Sequence, residues 1–158
     1  MTDTHDTQAL AIVLTTDPSL AAALPAELER QLAALSRADI ARKSLQDRGV
    51  ILEVPNIVEA VQLANAIAIE HLELSIENPW SWLPSVKHAG AIFLGGHTPE
   101  AAGDYLAGPN HVLPTMGTAK FASALGVETF LKKSSIISYS QKALQNDGPH
   151  IERLAKLE

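Results

Sequence analysis

Two short stretches hold side chains suited to chemistry. Glu70 and His71 are adjacent, which sets a carboxylate beside the side chain whose ordinary pKa lies nearest neutrality. Such a pair can act as water activator and general base where both groups reach one pocket. Neighbours on a strand point to opposite faces, so the two can cooperate only at a junction between elements. Surface charge beside a strand end is the competing reading. The second stretch, Gly103 to Phe121, crowds glycine and proline around Asp104, Asn110 and His111. One carboxylate, one amide and one imidazole can hold a metal or a small polar ligand. Turn-forming residues at that density predict an ordered loop, and a loop is better material for a site than for a core. A polar surface loop with an incidental histidine is the alternative.

The elements that must position these groups follow from the apolar pattern. The continuous run Leu10 to Leu14 predicts a buried strand, and Val50 to Val54 a second one. Asp17-Pro18 supplies a cap and a first-turn proline for a helix to about Leu35, broken or restarted at Pro25. Ser36 is expected to cap a further helix that Gly49 stops. Asn56 opens a helix with Ile57, Val61, Ala64 and Ala68 on one face. His71 to Ser75 and Ala89 to Leu94 complete four strands, and Trp80 and Trp82 are expected to plug the domain edge between them. Thr98-Pro99-Glu100 predicts a short helix capped by Thr98. Two short helices at 119–125 and 127–133, an extended segment at 135–140 and a last helix interrupted near Gly148-Pro149 close the chain. The fold class read from this alternation is α/β: a small, mainly parallel sheet with helices on both faces, an incomplete Rossmann-like domain, plus C-terminal helices. Residues 1–134 form the partial α/β domain and 135–158 the tail. Glu70, His71 and Asp104 are expected along one edge of that sheet, at the carboxyl ends of its strands or in the adjoining loops, which suits His71 at the start of its strand only if that strand runs antiparallel.

Composition narrows the function. Apolar residues make up 46% of the 158 positions but aromatics only 4%, so the core is aliphatic. A formal charge of −6 disfavours nucleic acid and anionic membrane as partners. No apolar run reaches the roughly 18 residues that span a bilayer, and the pattern predicts a cytoplasmic domain. Cysteine is absent, which removes disulfides, thiolate metal sites and a cysteine nucleophile. His5, between Asp3 and Asp6, reads by itself as part of a frayed terminus.

Five blocks then resemble one family in order and spacing: Ile-Glu-His-Leu-Glu-Leu at 69–74, Gly-Ala-Ile-Phe-Leu-Gly at 90–95, Thr-Pro-Glu at 98–100, Gly-Asp-Tyr-Leu-Ala-Gly-Pro-Asn-His-Val-Leu-Pro-Thr at 103–115, and Ser-Ile-Ile-Ser-Tyr-Ser at 135–140. The sequence is identified by them as similar to histidinol dehydrogenase. That resemblance implies a zinc-dependent homodimer that oxidises L-histidinol twice with NAD, through an aldehyde, to L-histidine. It implies that Glu70 activates water for the second oxidation and that His71 is the general base and a substrate contact. Asp104 would be a zinc ligand and substrate contact, His5 a zinc ligand, and Glu158 a substrate contact in a second subunit's site. His111 would support the site from its loop without binding metal.

The departures from the family pattern set further expectations. Thr2 stands where the family has a metal-binding glutamine, and Ile69 where a proline usually precedes the Glu-His pair. No glycine-rich strand-to-helix turn offers a seat for the NAD pyrophosphate. The expectation is a fragment or truncated relative, the second half of the catalytic domain with part of its tail, inactive alone and completed by a homodimer partner or companion chain. Two other readings stay open. One is a catalytically silent folding or assembly module. The other is a dehydrogenase of the same family that acts on another amino alcohol or diol.

Overall fold

The structure, a computed structural model, describes residues 9–157, and it separates into two compact units, Met1–Gly126 and Val127–Glu158. The first unit is mixed α/β, as the alternation of aliphatic runs predicts. β1 (Ile12–Thr15) leads into α1 (Pro18–Leu32), where Asp17 accepts from the Ser19 amide at 2.8 Å and Pro18 opens the first turn. α1 continues unbroken through Pro25. Proline removes one helical hydrogen bond, but Pro25 lies on the exposed side, where water can serve the orphaned carbonyl. α2 (Ala38–Arg48) starts without the expected Ser36 cap and ends at Gly49, whose amide donates to the Leu45 carbonyl at 2.8 Å. A side chain at Gly49 would collide with that carbonyl.

β2 (Val50–Glu53) pairs parallel with β1, Ile12 opposite Val50 and Thr15 opposite Glu53. α3 (Ile57–Ile67) is capped reciprocally: Asn56 accepts from the Glu59 amide at 3.0 Å, and its own amide group donates to the Glu59 carboxylate at 3.1 Å. It stops at Ala68, which is fully buried and left-handed at φ 56°, a conformation that packing must hold against the Cβ penalty. β3 (His71–Leu74) and β4 (Ala91–Leu94) form a second parallel pair, with His71 opposite Ala91. Between them lies the single turn α4 (Pro79–Trp82). Trp80 is 73% exposed there, so it does not plug the domain edge.

The expected single sheet is thus two separate two-stranded ribbons, β1–β2 and β3–β4. β1 and β3 are not neighbours in either. A cleft of about 860 Å³ is lined by the whole of both strands. The buried core runs from Leu32 and Ala41 through Val61, Ala64 and Ala68 to Leu74 and Phe93.

α5 (Glu100–Tyr105) follows β4. Its preceding residue is Pro99, and Thr98 does not cap it but donates its hydroxyl to the Leu94 carbonyl at 2.8 Å. The stretch after it is loop with one 3-10 turn at Thr118–Lys120 rather than a helix over 119–125. In the second unit a 3-10 turn at Val127–Phe130 replaces the expected helix, residues 131–140 hold no strand, and α6 (Gln141–Ala155) runs unbroken through the exposed Pro149. Ser140 caps α6, accepting from the Ala143 amide at 3.1 Å. Among the described residues no helix is long and apolar enough to cross a membrane.

Candidate active site

The site is built on the second ribbon and the helix laid against it. His71 opens β3, and its ring tilts at 41° over Phe93 of β4, with centroids 6.0 Å apart. Phe93 is 6% exposed and also meets α5. A Cβ on Gly103 would come within 2.6 Å of the Phe93 ring, so the glycine allows the helix to sit close. It is a packing residue, not a turn residue. Asp104, next along, is therefore on a helix and not in the loop that its glycine and proline neighbours suggest.

Glu73 fixes the other end of α5. Its carboxylate accepts from the Glu100 amide at 2.8 Å, which caps a helix start that has no side-chain cap of its own. An anion at the first turn also meets the positive end of the helix dipole. With both ends held, α5 directs Glu100 and Asp104, four residues apart, along one face. Asp104 Oδ1 lies 3.7 Å from His71 Nε2, with side-chain exposures of 24% and 11%. That is ion-pair range, longer than a hydrogen bond. Glu100 is buried, 7% exposed. One ligand atom each from His71, Glu100 and Asp104 all lie within 4.8 Å of one another.

Glu70 occupies the bend just before β3, held by its carbonyl, which accepts from the Ala91 amide at 2.8 Å. A Cβ on Gly90 would press that carbonyl at 2.6 Å, so a glycine is needed where β4 begins. Because β3 and β4 are parallel, the site borders the amino end of β3 and the face under α5, not the carboxyl edge expected for an open sheet. Asp104 also lines a recess of about 300 Å³ together with Gly90, Ala91, Phe93 and Asn110. Asn110 accepts from the Val112 amide at 2.8 Å, shaping the loop, and His111 is exposed. His5 and Glu158 lie outside the described residues.

Glu100 and Glu73 were not among the residues singled out from sequence. For Glu100 the available signal was its spacing of four from Asp104 in a segment opened by Pro99. For Glu73 there was none, since its partner is 27 residues away.

The family profile of histidinol dehydrogenase matches residues 3–158. The chain belongs to the histidinol dehydrogenase family. It is 74% identical to the histidinol dehydrogenase of Desulfotalea psychrophila over 154 residues, which are 98% of this chain and 36% of that protein. It is 56% identical to that of Oleidesulfovibrio alaskensis over the same shares. The crystal structure of histidinol dehydrogenase from Elizabethkingia anophelis superposes with a TM-score of 0.83 at 35% identity, covering 98% of this chain and 36% of that one. The chain thus spans about a third of the length of these histidinol dehydrogenases.

Proposed function

We propose that this chain carries the acid–base part of a histidinol dehydrogenase site, acting on L-histidinol with NAD as hydride acceptor. The observation that carries the reading is the packing of His71 against Asp104 and Glu100 in a chain of that family. His71 takes the alcohol proton as hydride leaves the adjacent carbon. The Asp104 carboxylate, 3.7 Å away, stabilises the imidazolium that results. Glu70 then takes a proton from the water that adds to the aldehyde, and a second hydride transfer leaves the carboxylic acid. Two NAD molecules and one water are consumed for each histidinol oxidised.

The donor set suits zinc, which binds imidazole and carboxylate at about 2.0–2.2 Å. Donors on one ion then stand at most about 4.4 Å apart, and the Asp104 and Glu100 carboxylates, with ligand atoms within 4.8 Å of each other, need only small side-chain movement to share one. Asp104 and His5 would hold the ion, with Glu100 in reach, and His71 would act as the base rather than as a ligand. When bound, zinc would polarise and orient the alcohol oxygen. The NAD seat would come from a homodimer partner or companion polypeptide, and Glu158 would contact substrate in a second subunit's site.

The test is steady-state NADH production from L-histidinol. The isolated chain with zinc and NAD is expected to make none. Co-expression with the remaining part of the Desulfotalea psychrophila enzyme is expected to restore it, and His71→Ala to abolish it again. Activity in the restored complex that ignores His71→Ala would overturn the acid–base assignment.

A further inference from the structure

The seat of α5 on β3 rests on a match between the repeats of strand and helix. His71 and Glu73 are alternate residues of β3 and project from one face. Phe93, opposite Glu73 in the ladder, projects from the same face of β4. On α5, Glu100, Gly103 and Asp104 share a side. Two strand residues advance about 6.6 Å and four helical residues about 6.0 Å. A helix laid against the direction of β3 therefore brings Glu100 to Glu73 and Asp104 to His71 at once, and both contacts are made, at 2.8 Å and 3.7 Å.

The contacts of α5 differ in what they hold. A six-residue helix is too short to be stable by itself, so its place is set by what it touches. Gly103 against the Phe93 ring governs how closely α5 approaches, but a glycine has no side chain to stop it from sliding along the strand. The His71–Asp104 contact is longer than a hydrogen bond and weakly directional. The Thr98 hydroxyl, the nearest local cap, is turned to the Leu94 carbonyl. The Glu73 bond to the Glu100 amide is the short, directional one, made at the first residue of the helix. A slide of one residue's rise, about 1.5 Å, would carry the 3.7 Å contact to as much as about 5 Å, beyond ion-pair range.

We propose that Glu73 is a positioning residue: through its bond to the Glu100 amide it fixes where α5 lies along β3, and so sets the distance from the Asp104 carboxylate to the His71 imidazole. Its role is geometric and involves no proton transfer of its own. The base and the residue that places the base's carboxylate partner thus stand two positions apart on one strand. The catalytic consequence rests on the acid–base role proposed for His71 above, whereas the seat itself is a matter of geometry alone.

The test compares Glu73→Ala, which loses the bond, with Glu73→Gln, which keeps an acceptor oxygen at the same reach and loses the charge. In the chain carrying isotope-labelled histidine, Glu73→Ala should move the His71 ring signals in NMR spectra, and Glu73→Gln should leave them near their original place. The Glu73→Ala shift should vanish when Asp104→Ala is also present, because the effect travels through that carboxylate. Amide signals of α3 report that each variant stays folded. In the co-expressed complex described above, Glu73→Ala should lower kcat about tenfold or more and hold KM within about twofold. The split is expected because the imidazolium that Asp104 stabilises forms only on the way to the transition state. Glu73→Gln should keep most of the activity. Equal effects of the two variants would assign the role to charge and overturn the proposal. So would unmoved His71 signals in Glu73→Ala, or a shift that survives Asp104→Ala. Loss of activity with His71→Ala but none with Glu73→Ala would overturn it too, and leave the acid–base reading standing. A complex indifferent to His71→Ala would overturn that reading instead, and the His71 signals would still decide the seat.

Discussion

The two ribbons are nearly the same object built twice, and among the described residues only the second carries the candidate site. Each is a parallel pair of four-residue strands, with a glycine just before its second strand, Gly49 or Gly90, whose side chain would strike a carbonyl. The first packs against α1 and exposes Val50 and Leu52. The second has His71 at the head of β3, Glu73 two residues on, and α5 drawn onto it through Gly103. What separates scaffold from site is therefore the helix that covers the ribbon. α5 brings two carboxylates at a spacing of four to an imidazole on a strand, and nothing on α1 does the same for β1.

The largest expected effects come from emptying each half of its most informative buried side chain. Leu32, 1% exposed at the end of α1, and Phe93, 6% exposed on β4, should each cost about 2–5 kcal/mol when cut to alanine, read as a fall in the urea midpoint. Their local consequences should differ. Phe93→Ala removes the ring that supports His71 and receives Gly103, so the His71 imidazole signals in NMR spectra should shift, while Leu32→Ala should leave them in place. Equal shifts from both would show the ribbons to be one block, and the distinction drawn above would fail.

Much of the scaffold was legible because short aliphatic runs bounded by turn residues announce strands whatever surrounds them. Ile12–Thr15, Val50–Glu53, His71–Leu74 and Ala91–Leu94 all fall where the apolar pattern puts them. Their arrangement was not legible, since four-residue runs say nothing about which edges meet. Asp104 was found as a candidate but misplaced in a loop, because Gly103 looks the same in sequence whether it makes a turn or admits a ring. The contact of Glu73 with α5 is tertiary and has no local signature. That contact gives a second, smaller prediction. Glu73→Ala should loosen α5 by about 1 kcal/mol, a typical helix-cap effect, and speed amide exchange at Ala102 and Leu106 without changing α3. Asn56→Ala should cost a similar amount and speed exchange in α3 alone. If Glu73→Ala left α5 unchanged, its 2.8 Å bond to the Glu100 amide would not be what seats that helix.

The smallest expected effect is a pH dependence confined to the first ribbon's helix. The side-chain hydrogen bond from Ser19, followed by the one from its amide, holds the Asp17 carboxyl below its ordinary 3.8. Hydrogen bonds from Arg30 and then Gln31 bring Glu27 from 4.5 down to about 2. A depressed carboxyl binds fewer protons in the folded chain than in the unfolded one. Its contribution is therefore present above the ordinary value and lost as pH falls through the folded one. For Glu27 the loss falls between 4.5 and about 2. Both groups are exposed, so salt should weaken the effect. Over that interval the amides of α1 should lose protection before those of α3, whose Asn56 cap does not titrate. Glu27→Gln should remove its share of the difference and leave the Asp17 part. A Glu27 carboxyl carbon that titrates near 4.5 would show that the Arg30 contact, 2.7 Å from its Nε, does not persist in solution.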